Sequence, residues 1–88
     1  MKVKVENMTS SNGNNVPNQF ILHNEDATYF QSYNSIICKI EDHKVFLDER
    51  FHDYSRTTSK YLTKFLGKDS KERKARITSG EYILTNLN

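Results

Sequence analysis

The chain has no tryptophan, a single cysteine (Cys38), a single proline (Pro17) and three glycines among its 88 residues. One thiol forms no internal disulfide, which argues against a secreted scaffold stapled by bridges and points to a reducing compartment. Three scattered glycines supply no phosphate-cradling loop, and no GxSxG, HEXXH or CxxC pattern occurs. No apolar run approaches the ~20 residues that cross a bilayer. The opening MKVKVENMTSSNGNN also lacks the apolar centre of a signal sequence. The expectation is a cytoplasmic protein with no membrane contact. A chain of this length buries only roughly 60–65% of the surface exposed when unfolded, so its core is small. A two-domain enzyme or a barrel of about 250 residues is excluded.

What is present is charge, distributed unevenly. Thirteen Lys and Arg stand against eleven Asp and Glu, a net +2. Residues 1–54 carry five basic and eight acidic side chains, whereas residues 55–76 carry eight basic and two acidic. The average is close to neutral, but the two regions have opposite sign. A basic segment on such a chain implies an acidic partner met by one face rather than a protein that coats nucleic acid all over.

The hydropathy pattern predicts an α+β fold. Val3 and Val5 alternate with Lys2, Lys4 and Glu6, the period-two mark of a short strand-like arm. Residues 7–18, NMTSSNGNNVPN, read as an Asn/Ser-rich loop, so residues 1–18 form an arm and loop and residues 19–88 a single domain. From Gln19 to Leu47, the apolar runs QFIL, ATYFQSY, SIICKI and KVFL are separated by Asn, Asp and Glu turns. This spacing predicts an antiparallel meander of about four to five strands. Alternation places Ile36, Cys38 and Ile40 on one face and Ser35, Ile37, Lys39 and Glu41 on the other. At 100° per residue, Thr58, Tyr61, Leu62, Phe65 and Leu66 gather opposite Arg56, Lys60 and Lys64, which predicts a helix covering one face of that sheet. Ser55 or Thr57 caps its start and Gly67 its end. A second short helix begins at Asp69 or Ser70, with Glu72 completing a capping box, and stops at Gly80. EYILTNL then closes the fold as a short strand.

The segments YFQSYNSIICKI, VFLDERFHDYSRTTSKYLTKFLG and GEYILTNLN resemble small proteins encoded by temperate phages and prophages of Gram-positive bacteria. The shared pattern is an FQSY strand (Phe30 to Tyr33), LD (Leu47, Asp48) before a DYS-x-TT turn (Asp53 to Ser55, Thr57, Thr58), and a KY-x-x-x-FL helix (Lys60, Tyr61, Phe65, Leu66). His52 departs from it, standing where a tryptophan is expected. The resemblance covers about three quarters of the chain and none of its motifs is a catalytic fingerprint. It implies an accessory phage product that binds a host protein or blocks a defence system.

Catalytic constellations are sparse. His23, His43 and His52 are too widely spaced to place two metal ligands on one helix face, so no metal or cofactor is expected. Cys38, alternating with Ile36 and Ile40, reads as a small buried hydrophobe. Asp26 with Asp42, His43 and Lys44 mimics the spacing of metal-dependent nucleases but sits in turn-forming sequence. Asp48, Glu49, His52 and Asp53 offer a cation or acid–base cluster, against the plainer reading that Asp53 caps the turn and Tyr54 packs as a lid on the core.

The basic segment is the more promising surface. Arg56, Lys60, Lys64 and Lys68 form one stripe, and Lys71, Arg73, Lys74 and Arg76 continue it. All eight are expected to project outward, either as a binding surface or as a solvated face that keeps the protein soluble. Asp48, Glu49 and Asp53 are the alternative, acidic contact patch. Two functions follow as expectations. The first is a non-enzymatic phage accessory protein that binds and inhibits a host macromolecule, protein or nucleoprotein, in an anti-defence, anti-CRISPR-like role. The second is a nucleic-acid-binding accessory or regulatory module using the basic helices. The aromatics are expected in the core, which argues against base stacking as the mode of binding. The chain reads as a monomer or as a homodimer formed by adding a strand edge, Val3 and Val5 or the closing strand, to a neighbouring sheet.

Overall fold

The computed structural model describes residues 3–88; Lys2, read as part of the alternating arm, lies outside the described residues. The chain runs β1 (Lys4–Thr9), β2 (Asn15–His23), β3 (Thr28–Ser32), β4 (Ser35–Glu41), β5 (Lys44–Asp48), α1 (Arg56–Leu66), α2 (Ser70–Ser79) and β6 (Tyr82–Thr85). All six strands form one sheet in sequence order. The first five make an antiparallel meander, with α1 packed against β3 and α2 against β6, giving a two-layer α+β fold.

One expectation about the strands is corrected. Residues 7–18 are not one loop: Asn7 pairs with Phe20 and Thr9 with Asn15, so only Ser10–Asn14 remains as a turn between β1 and β2. Asn-rich sequence has weak strand preference, but an edge strand needs only a backbone ladder to hold it. The closing strand β6 pairs with β5 in parallel, Val45 opposite Tyr82 and Asp48 opposite Thr85. The excursion through α1 and α2 carries the chain back to the end of the sheet where β5 began, and a parallel neighbour requires such a crossover.

Local chemistry sets the hairpins. Asp42 and His43 both have positive φ (51° and 64°), the requirement of a two-residue type I′ turn, with Glu41 and Lys44 paired across it. Asn24 Oδ1 accepts from the backbone N–H groups of Asp26 (2.8 Å) and Ala27 (2.7 Å), closing the β2–β3 turn. In β4 the register steps from Phe30–Cys38 to Gln31–Ile36, leaving Ile37 as the extra residue of a bulge. The bulge shifts the phase of the alternation. Ile37 turns inward and is buried beside Cys38, while Ile36 joins Leu22 and Tyr29 on the other face.

The core lies between sheet and helices: Met8, Phe30, Ile37, Cys38 and Leu47 from the first five strands, Tyr61 and Leu62 from α1, and Tyr82 from β6. Phe30 stacks on Phe65 with ring centroids 5.7 Å apart, which sets the helix on the middle of the sheet. Helix ends follow the sequence signals. Ser55 Oγ accepts from Thr58 N and Asp69 Oδ1 from Glu72 N, while Gly67 and Gly80 close the C-termini with φ of 74° and 85°.

Candidate binding surfaces

Along α1, every fourth residue from Arg56 returns to the same side, and the apolar face fixes which side that is. With Thr58, Tyr61 and Leu62 buried on the sheet, Arg56, Lys60 and Lys64 stand exposed. Lys71 and Lys74 extend this surface on α2, and Lys68, half-buried after the Gly67 cap, links the two helices. No carboxylate pairs with any of these six cations among the described residues. Lys64 Nζ donates to the carbonyl of Thr9, tying the end of β1 to α1. Lys60 Nζ lies 5.5 Å from the Tyr61 ring centroid.

Two of the eight expected cations do other work. Arg73 is turned inward and only 3% exposed, contrary to the expectation that it projects outward. Its Nη1 donates to Thr63 Oγ1 (2.5 Å) and the Lys68 carbonyl (2.9 Å), and its Nη2 to Ser59 Oγ (2.7 Å). The reason is geometric: α2 has few apolar anchors, and a planar fork with five donors can satisfy three oxygens at once under α1. Burial lowers the pKa of this guanidinium, and the carboxylates of Asp53 and Asp69 work against that shift. Arg76 is half-buried and already paired, with Glu72 (3.0 Å) on its own helix and Glu81 beyond it.

The acidic patch loses its first member in the same way. Asp48 is 1% exposed and serves the chain internally. Its Oδ2 accepts from Arg50 N (3.1 Å) and Phe51 N (2.9 Å), and its Oδ1 from Leu87 N (2.8 Å) and Asn88 Nδ2 (3.0 Å). Burial alone would raise the pKa of this carboxyl. The hydrogen bonds from Leu87, Phe51, Asn88 and Arg50 outweigh it and hold the group below its ordinary value. Asp48, not Asp53, therefore caps the turn after β5, and only Glu49 and Asp53 of the patch remain exposed. Burial lowers the pKa of the neighbouring His52, against the opposing pull of Asp53. Asp26 and the Asp42–His43 turn stand in solvent, and no three metal-ligating side chains cluster among the described residues. Cys38 is buried, and that burial pushes its thiol up to about 12.

Two surfaces are hidden from the sequence pattern, which assigns the aromatics to the core. Tyr54, expected as a core lid, is 70% exposed and meets Phe51 edge-on. With Tyr33 it flanks a groove of about 360 Å³ floored by Ser32 and Thr58, whose hydroxyls share a 3.0 Å hydrogen bond. The second surface is the helix-free face of the sheet, where Tyr29 and Phe46 stand either side of Lys39. The phase shift at the Ile37 bulge conceals this row from simple alternation.

The molecule is thus a two-layer α+β protein that displays a cationic helical ridge, a tyrosine-flanked groove and an open sheet face. Residues 3–82 match a protein family described as a family of unknown function, DUF8033, and the chain belongs to that family. No curated protein and no solved structure matches it significantly.

Proposed function

We propose that this is a non-enzymatic phage accessory protein that binds, and thereby inhibits, an acidic host macromolecule through the ridge of α1 and α2. The observation that carries the reading is the charge asymmetry of the helical layer. Arg56, Lys60, Lys64, Lys68, Lys71 and Lys74 share one layer with no carboxylate paired to them among the described residues. Cations not neutralised by a carboxylate raise the local potential and steer an acidic surface into register. The phage assignment rests on the FQSY, DYS-x-TT and KY-x-x-x-FL resemblance. The contact set is narrower than the sequence alone suggests, because Arg73 and Arg76 hold the fold together.

A nucleic acid is the second reading, favoured by the same lysines, and one experiment separates the two. The tagged protein is used to capture partners from host lysate at about 100 mM salt, with and without nuclease treatment. A stoichiometric protein retained after nuclease, and lost when Lys60, Lys64, Lys71 and Lys74 are changed to Glu, supports the proposal. Loss of the partner on nuclease treatment assigns the ridge to nucleic acid. Its affinity for a purified oligonucleotide should then fall by about 0.9 log unit per log unit of salt for each phosphate contacted. Capture unaffected by the four Glu substitutions would falsify the ridge as the contact surface.

A further inference from the structure

We propose that the helix-free face of the sheet is the interface of a symmetric homodimer. The face carries a single cross-strand row that spans all six strands in register: Val5, Leu22, Tyr29, Lys39, Phe46 and Ile83. A sheet face that meets water ordinarily alternates to polar residues, and this row is apolar or aromatic at every position except Lys39. Val5 and Ile83, at the two ends of the row, are 59% and 40% exposed.

The charge on this face selects a second copy over a polyanion. Its one central cation, Lys39, is answered within its own chain. Lys39 Nζ lies 3.4 Å from Glu41 Oε1, 6.0 Å from the Tyr29 ring centroid and 5.7 Å from that of Phe46. The six cations of the ridge belong to the opposite layer, so two sheets packed face to face keep their cationic ridges on the outside, far apart. Symmetry sharpens the match. A two-fold axis lying in the interface, parallel to the strands and between β3 and β4, sets Tyr29 of each copy against Lys39 of the other. The same operation sets Leu22 against Phe46 and Val5 against Ile83, so no like charges meet, and two such sheets pack within about 30° of alignment. An axis across the strands would instead oppose Lys39 to itself. Five inter-strand spacings of ~4.8 Å by five residues of ~3.3 Å give a footprint of roughly 400 Å² before side-chain relief. Counted over both copies this is roughly 800 Å², below the about 1,200–2,000 Å² of standard stable interfaces, so the dimer belongs to the weak, transient class.

Sedimentation velocity between roughly 1 and 100 µM, in about 0.5 M salt to suppress ridge contacts, should show a concentration-dependent dimer. Replacing both Val5 and Ile83 by Lys, positions exposed enough to leave the circular dichroism unchanged, should return it to monomer. Val5→Cys with Ile83→Cys supplies an independent reading. The two lie on opposite edges of one sheet, so a bismaleimide linker spanning roughly 10 Å, the separation of packed sheets, joins them only between copies and should yield a covalent dimer. Three results would overturn the proposal: a wild-type monomer throughout, a dimer that survives both Lys substitutions, or a monomer whose oligonucleotide binding is abolished by Phe46→Ala. Dimerisation is independent of the ridge, so the Glu substitutions that test the proposed function should leave it intact.

Discussion

The helices α1 and α2 are consecutive, similar in length and both basic, yet opposite chemistry anchors them. α1 is held by Tyr61 and Leu62, set into the sheet with Phe65 stacked on Phe30. The one buried residue of α2 is an arginine, held by three hydrogen bonds to α1 and the connection that follows it. The first is fixed by dispersion and release of water, which are non-directional; the second by a guanidinium fork whose donors must meet oxygens at set positions. Sequence counts alone treat Arg73 and Lys74 as two equal cations, but one is part of the interior and the other is free to meet a partner.

That contrast is broken most severely in α1. Leu62→Ala removes a fully buried side chain at the centre of the core and should cost about 3–4 kcal/mol, read as a shift of the urea midpoint with an unchanged slope. In a domain this small, that is a large part of the total stability. An intermediate effect is expected in α2. Arg73→Met keeps the bulk but leaves the Lys68 carbonyl and two hydroxyls without their donor, and should cost about 2 kcal/mol. The matched change Lys74→Met, on the exposed side, should stay within about 0.5 kcal/mol. Equal costs for the two substitutions would erase the distinction between the anchor and the ridge.

The smallest effect at neutral pH comes from Cys38, which sits beneath this junction. Burial pushes its thiol up to about 12, from an ordinary 9.0, while the charge of Arg73 pulls the other way. A folded-state pKa raised above the unfolded value leaves stability intact below pH 9. Between pH 9 and about 12 the unfolded chain ionises first, so stability should fall over that window. At a pH of about 8 the native thiol should resist alkylation by iodoacetamide until the chain is unfolded in urea, and mass spectrometry reads this directly.

The parts of the molecule legible in the sequence are those whose causes lie within a few residues. Ser55, Asp69, Gly67 and Gly80 cap the helices because each bonds or turns the backbone within one turn of itself. The apolar stripe of α1 is likewise visible at 3.6-residue spacing. The roles of Asp48 and Arg73 are illegible there because their partners are remote along the chain: Asp48 reaches Leu87 and Asn88, and Arg73 reaches back to Ser59. The Asn-rich first hairpin is hidden because its strands follow from pairing with the growing sheet rather than from preference of their own.

By itself, then, the amino-acid order determined the α+β class, the antiparallel meander from Gln19 onward in outline, the two capped helices and the concentration of positive charge after position 55. Local periodicity, turn chemistry and charge counting suffice for those features. Tertiary structure alone decided the parallel seating of β6, the inward turn of Ile37 at the bulge, and which charged groups are structural and which are displayed. Those outcomes depend on register between strands and on oxygens brought together from distant segments, and no window of neighbouring residues contains that information.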